Sequence, residues 1–236
     1  MQGKGVSGSM LGRIPFLCEE DKMAATPDRL TVVDHPLIQD RLAVLRAVET
    51  PSNRFRQLVK QLTILEGAEA TRDMSLSDID VQTAISTAHC KTLSHHKVSV
   101  VAVLRAGIGM LDGVLELLPN AHVGFLGMAR DQQTHKPIEY YDKLPVDIAD
   151  HDHVFVVDPM LATGGTAVRA ISVLRERGVR HIKLVVLIAA PEGVKAVLDA
   201  DPEVRIYTCA LDEGLNEDDY IVPGLGDAGD RIFETI

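Results

Sequence analysis

From Val98 onward the chain alternates continuous apolar runs with amphipathic stretches. The runs VSVVAVL (98–104), AHVGFLGMA (121–129), HVFVVD (153–158), IKLVVLIAA (182–190) and VRIYTCAL (204–211) lack the alternation of a half-solvated strand, and they read as strands covered on both faces. Between them, GIGMLDGVLELLP (107–119), TAVRAISVLRERG (166–178) and EGVKAVLDA (192–200) read as helices, with Gly178 placed to end the second. This alternation predicts an α/β fold with a mostly parallel sheet flanked by helices. Two further helices precede it. Ile38, Leu42, Leu45 and Val48 share a face after Pro36, while Phe55, Leu58, Val59, Leu62 and Leu65 form a stripe behind a cap at Ser52. Such N-terminal helices are expected to cover a sheet or a dimer interface. The polar stretch from Arg130 to Pro145, with adjacent Tyr140 and Tyr141, predicts a flap hairpin. Residues 1–28 show no periodicity and are expected to be a disordered extension, leaving 29–236 as one domain.

Composition narrows the classes. The 236 residues are 46% hydrophobic but contain no Trp, so the core must be aliphatic. A net charge of −10 argues against non-specific nucleic-acid binding and against an anionic membrane surface. It does not exclude a small anionic substrate, because local arginines and backbone N–H groups override a distant field. Cys18, Cys90 and Cys209 are odd in number and lack metal-ligand spacing, so reduced thiols in a cytoplasmic protein are expected. No apolar run approaches the ~18 residues of a membrane span. The histidines His89, His95, His96, His151 and His153 sit in polar sequence with no transition-metal pattern.

In a parallel sheet, ligands bind beyond the carboxyl ends of the strands. That rule selects the loops after Leu104, Val157 and Leu211. The middle one runs Asp158, Pro159, Met160, Leu161, Ala162, Thr163, Gly164, Gly165, Thr166. Where a strand turns into a helix through two glycines, successive N–H groups converge on one concavity, and the helix dipole adds positive potential. The threonine hydroxyls add donors, which suits a phosphate monoester. The loop lacks the G-K-[ST] of a P-loop and the G-x-G-x-x-G of a dinucleotide site. A tight turn holding no ligand is the alternative. Asp158 at the mouth would repel a phosphate unless it had another partner, and ribose hydroxyls supply one.

VVDPMLATGGT resembles the 5-phosphoribosyl 1-pyrophosphate (PRPP) motif of type I phosphoribosyltransferases. More narrowly, VLRAGIGMLDGVLE, ARDQQTHKP, APEG and DEGLNEDDYIVPGLGDAGDR resemble the uracil phosphoribosyltransferases, from about Leu30 to Phe233. Two places depart from the family pattern. Gly67 and Ala68 stand where bulkier residues are usual, and the stretch from Ser77 to Lys97 matches poorly.

The resemblance implies transfer of the 5-phosphoribosyl group to N1 of uracil, giving UMP and pyrophosphate. Arg105 would receive pyrophosphate in a loop where strained peptides are often found. Arg130 would be a second PRPP contact, with Lys136 and Tyr140 closing over the ligand. Ile221, Gly226, Asp227 and Ala228 would hold the uracil edge through backbone groups, the bland alternative being a structural hook. Asp227 is placed near the reaction centre as a PRPP or metal contact. Mg²⁺ is the implied cofactor. Many relatives carry two consecutive acids where this chain has Asp158 and Pro159, so the metal is expected to arrive on pyrophosphate with few direct protein ligands. GTP is a candidate allosteric activator, and a homodimer or larger homo-oligomer is expected. The run DEGLNEDD reads as a solvated acidic loop. A PRPP-sensing RNA-binding regulator is a rival reading, against which the acidic balance weighs, as is a transferase for another base.

Overall fold

The protein is described by a computed structural model covering residues 28–94, 97–130 and 137–235. The expected extension therefore lies outside the described residues, apart from Asp28. In chain order the elements are β1 (Leu30–Val32), α1 (Pro36–Arg46), α2 (Ser52–Ala70), β2 (Leu76–Gln82), β3 (Thr87–Leu93), β4 (Val98–Leu104), α3 (Ile108–Leu117), β5 (His122–Arg130), β6 (Pro137–Lys143), β7 (His153–Val157), β8 (Met160–Leu161), α4 (Gly165–Glu176), β9 (Ile182–Ala189), α5 (Pro191–Ala200), β10 (Arg205–Leu211), β11 (Gly214–Leu215), β12 (Ile221–Val222) and α6 (Ala228–Phe233). One sheet runs β1-β10-β9-β7-β4-β5-β6, with the short β8 also on β9. Every pairing in it is parallel except that of β6 with β5.

The continuous apolar runs are central strands, as expected. All eight residues of β9 are buried, so neither face tolerates a polar position without a partner. Lys183, the polar residue of the strand, is partnered accordingly: its ammonium bonds to the Ala70 carbonyl and pairs with Asp73, above the Phe155 ring. Aliphatic clusters fill both faces of the sheet. One includes α1, α2 and α3 residues, and the other includes α4 and α5 residues.

The N-terminal helices cover the sheet. In α1, Ile38, Leu42 and Leu45 are buried, but the helix ends at Arg46 and Val48 is 92% exposed, so the fourth position of the expected face is not part of it. Pro51 rather than Ser52 takes the cap position of α2. At Gly67, a Cβ would sit 2.6 Å from Leu117 Cδ1 of α3, so a bulkier residue there would need the Leu117 side chain to move aside. Glu66, unremarked in the sequence, is fully buried with neither carboxyl oxygen in a hydrogen bond of ordinary geometry. Burial pushes its pKa well above the carboxylate range, and the neighbouring Cys209 thiol is raised by burial and by Glu66.

The poorly matching stretch is a two-stranded ribbon. β2 and β3 pair antiparallel and join no other sheet. Leu76, Ile79, Val81 and Leu93 are exposed along it, and Ile85 is 94% exposed at its turn. At the β6 edge of the main sheet, β5 and β6 form the antiparallel pair of the expected flap, while 131–136, with Lys136, lie outside the described residues.

Candidate active site at the carboxyl ends of the strands

β7 delivers Asp158 to the carboxyl edge of the sheet. The chain stays bound to β9 beyond it, because the Pro159 carbonyl accepts from the N–H groups of Leu187 and Ile188. Pro159 therefore fits a position whose carbonyl is used and whose missing N–H is not needed. After β8, the backbone turns at Gly164, with φ of 83° in the left-handed region, and α4 starts at Gly165. A Cβ at Gly164 would also approach the Gly193 carbonyl oxygen to 2.9 Å. Glycine is needed there for both reasons.

The loop after β10 reaches the same place. Asp212 accepts from the Gly224 N–H at 2.9 Å and is held by Arg46 of α1 in a two-pronged pair at 2.8 and 2.6 Å. Arg46 also donates to the Gly224 carbonyl at 2.7 Å. Gly224 has φ of 58°, and a Cβ on it would fall 2.2 Å from the Ile221 carbonyl oxygen. Arg231 donates to the carbonyls of Leu225 and Ala47 and stacks over Phe55. The stretch read as a loop thus contains β12 and the short helix α6, capped by Asp227, whose carboxylate accepts from Asp230 N–H at 2.9 Å. The N-terminal helices hold this loop in shape, a role the sequence did not assign to Arg46, Asp212 or Arg231.

Between the two loops lies a cleft of about 370 Å³. Of the expected residues, Asp158, Met160, Ala162, Thr166, Ile221, Gly226, Asp227 and Ala228 line it. Ala106, Asp218, Asp219, Tyr220 and Gly229 line it as well. The acidic run read as a solvated loop therefore supplies part of the wall. Pro159, Leu161, Thr163, Gly164 and Gly165 shape the turn beneath without lining the cleft. Arg105, joined to Leu104 by a cis peptide, turns to α6 and the C-terminal segment, bonding Asp230 at 3.2 Å and Thr235 at 3.3 Å. Arg130 ends β5 with its backbone paired to Pro137. Tyr140 is 55% exposed on β6. A larger cleft, about 430 Å³, opens among Arg29, Arg180, Lys183 and Arg205 at the amino ends of the strands and touches none of these loops.

Electrostatics single out Asp158. It lines the cleft yet sits deep among protein atoms, and burial pushes its carboxyl up to about 7. The Met160 N–H opposes that shift, and the Asp227 carboxylate adds to it. Four acids on one cleft, with Asp158 and Asp227 close enough for one charge to raise the other's pKa, form a site waiting for donors or cations.

A model of the family described as uracil phosphoribosyltransferase matches residues 32–235. The chain belongs to the uracil phosphoribosyltransferase family. A family relative from Agathobacter rectalis, named uracil phosphoribosyltransferase, is 55% identical over 207 residues, spanning 88% of this chain and 99% of the relative. One of the same name from Streptococcus suis is 53% identical over the same shares. The solved structure of the AQ2163 protein from Aquifex aeolicus superposes with a TM-score of 0.82 at 37% identity, covering 87% of this chain and 98% of that one. The family match spans both loops of the cleft. Among the described residues, no helix is long and apolar enough to cross a membrane.

Proposed function

We infer that this chain, as one domain over 29–236, transfers the 5-phosphoribosyl group of PRPP to N1 of uracil, releasing pyrophosphate and forming UMP. The observation that carries the reading is the single cleft walled by the Asp158–Thr166 loop on one side and the Tyr220–Gly229 segment on the other. The first wall fits a ribose 5-phosphate. N–H groups at the start of α4 and the Thr166 hydroxyl bind the phosphate, Thr163 supports them from the turn beneath, and Asp158 accepts from the ribose hydroxyls. The second fits a pyrimidine edge, through backbone groups of Ile221 and of Gly226 to Ala228. Leaving such a pocket's polar groups unmatched costs about 1–3 kcal/mol, which disfavours cytosine.

N1 of uracil attacks C1′ of the ribose as pyrophosphate departs, the N1 proton passes to the leaving pyrophosphate or to solvent, and no covalent enzyme intermediate is required. Arg105 moves from Asp230 to the departing pyrophosphate, and Arg130 is assigned as a second PRPP contact. Anchoring the 5′-phosphate turns remote binding into orientation of C1′. Tyr140, exposed on β6, closes the flap side against water. Asp227 orients PRPP at the reaction centre. The donor set suits Mg²⁺, since Asp218, Asp219 and Asp227 bring hard carboxylate oxygens to one cleft. When bound with pyrophosphate, the ion neutralises the leaving charge. With Pro159 in place of a second acid, Asp227 is the side chain to hold it, and a direct Mg²⁺–Asp158 bond in a PRPP complex would contradict this assignment.

A homodimer or larger assembly belongs to the same reading. A lone two-stranded ribbon is marginal in water, and β2–β3 exposes an apolar row that a second copy would cover. GTP as an activator and a cytoplasmic setting complete the proposal. The deciding assay is pyrophosphate release from PRPP with uracil, cytosine, orotate and hypoxanthine in parallel. Release with uracil alone is expected, and none with uracil would reject the function.

A further inference from the structure

At the amino ends of β4, β5 and β7, three side chains converge that the transfer reaction does not use. His122, Asp147 and His151 each offer one ligand atom, and these atoms lie within 4.8 Å of one another. They stand at the far edge of the sheet, one length of β4 from the cleft, which is roughly 20 Å. Sequence alone scattered them: His151 reads as a polar loop residue, and His122 and Asp147 carry no spacing signal with it.

The geometry around His151 is that of an oriented ligand. Its side chain is fully out of solvent. Nδ1 lies 2.8 Å from the Oγ of Ser99, itself fully buried, and Nε2 lies 3.3 Å from Asp147 Oδ1. The His122 ring meets it edge-on, with centroids 4.8 Å apart. Lys97 bonds the other Asp147 oxygen at 3.0 Å, which fixes the carboxylate in front of His151. Asp150 and Asp152 add negative charge around Lys97.

An imidazole nitrogen facing a carboxylate oxygen needs a positive atom between them. In the free protein, a proton on Nε2 fills that place, in a hydrogen bond at the long end of the usual range. We propose that His122, Asp147 and His151 form a binding site for a divalent transition ion of the Zn²⁺ class, separate from the cleft. The ion takes the place of the Nε2 proton, which passes by way of solvent to Nδ1, so neutral His151 changes tautomer with no net loss of a proton. Ser99 then accepts from Nδ1–H and fixes the tautomer. Two imidazoles and one carboxylate favour Zn²⁺ or Co²⁺ over Mg²⁺. Around such an ion, with bonds of about 2.0–2.2 Å, the donor atoms must close to roughly 3.3 Å apart. The exposed His122 supplies that movement, and water takes the remaining position.

The test titrates the metal-free full chain at pH 7.5 with Co²⁺, read by its visible bands, and with Zn²⁺, read by calorimetry. One equivalent is expected. His122→Ala, an exposed position that does not threaten folding, should weaken binding at least tenfold. Lys97→Met, which removes the competing ammonium, should tighten it severalfold. Pyrophosphate release with Mg²⁺ should be the same in His122→Ala as in the parent chain. Absence of saturable binding, or equal affinity in His122→Ala and the parent, overturns the proposal.

Discussion

Replacing Asp158 by Asn should make the free protein more stable and the enzyme worse, with a pH dependence that identifies the cause. Burial raises this carboxyl from 3.8 to about 7. The folded chain therefore holds the proton more tightly than the unfolded chain. Between about pH 4 and 7 the folded state carries the extra proton, so stability falls as pH rises through that window, and the full cost stands above 7. At 1.36 kcal/mol per pKa unit, a shift of this size is worth about 4 kcal/mol. Asp158 opens on the cleft, so screening reduces the figure to about 2–4 kcal/mol. Asn keeps an oxygen for the Met160 N–H and carries no charge for Asp227 to repel. Urea unfolding of both proteins at pH 4.5 and pH 8 is the measurement. Near-equal stabilities at the lower pH, and an advantage for Asp158→Asn at the higher one, are expected. The same variant loses a charged acceptor for two ribose hydroxyls, about 3 kcal/mol, so kcat/KM for PRPP should fall on the order of a hundredfold. An Asn variant no more stable at pH 8, or an advantage independent of pH, would refute the account of Asp158 as a buried, strained charge.

Arg46→Met leaves the nearly buried Asp212 unpaired and should cost about 3 kcal/mol of stability; it should raise the KM for uracil about tenfold while leaving that for PRPP within roughly twofold, and Arg46→Lys, lacking the two-pronged fork, should recover only part. Gly164→Ala forces a side chain into a left-handed turn against the Gly193 carbonyl, so a loss of about 2 kcal/mol in denaturant unfolding and a raised KM for PRPP are expected. Asp227→Asn retains the cap on α6, since Asn caps as well as Asp; melting should be unchanged while kcat drops about a hundredfold, and wild-type turnover would remove Asp227 from the site.

Much of this was legible because burial on both faces leaves a plain trace. The apolar run 182–190 could scarcely be anything but a central strand, and β9 is buried throughout. The Asp158–Thr166 turn was legible because close backbone approach demands glycine. The β2–β3 ribbon was not, because every one of its residues is at least partly exposed and no buried face imprints a period. Glu66 was illegible for the opposite reason: a carboxyl on an amphipathic helix looks solvent-facing, and only the packing of α2 on the sheet turns it inward. Asp218 and Asp219 looked like solvated charge, since sequence cannot say which side of a loop faces a cleft. The Arg46–Asp212 and Arg231–Ala47 contacts join residues remote in sequence, for which no local pattern exists.

Those remote contacts also set an order of assembly. The strand, turn and helix that present Asp158 and Thr166 are contiguous, spanning β7 to α4, and need only neighbouring strands to form. The base-side wall depends on Arg46 meeting Asp212 across 166 positions and on Arg231 meeting Ala47 across 184. Closing such long loops carries an entropy cost that local contacts avoid, and non-local contacts form late. During folding, the phosphate-gripping half of the cleft should thus mature before the base-reading half. The 5′-phosphate of PRPP then meets a finished grip first, whereas the contacts of Asp227 and the binding of uracil must wait for the completed fold.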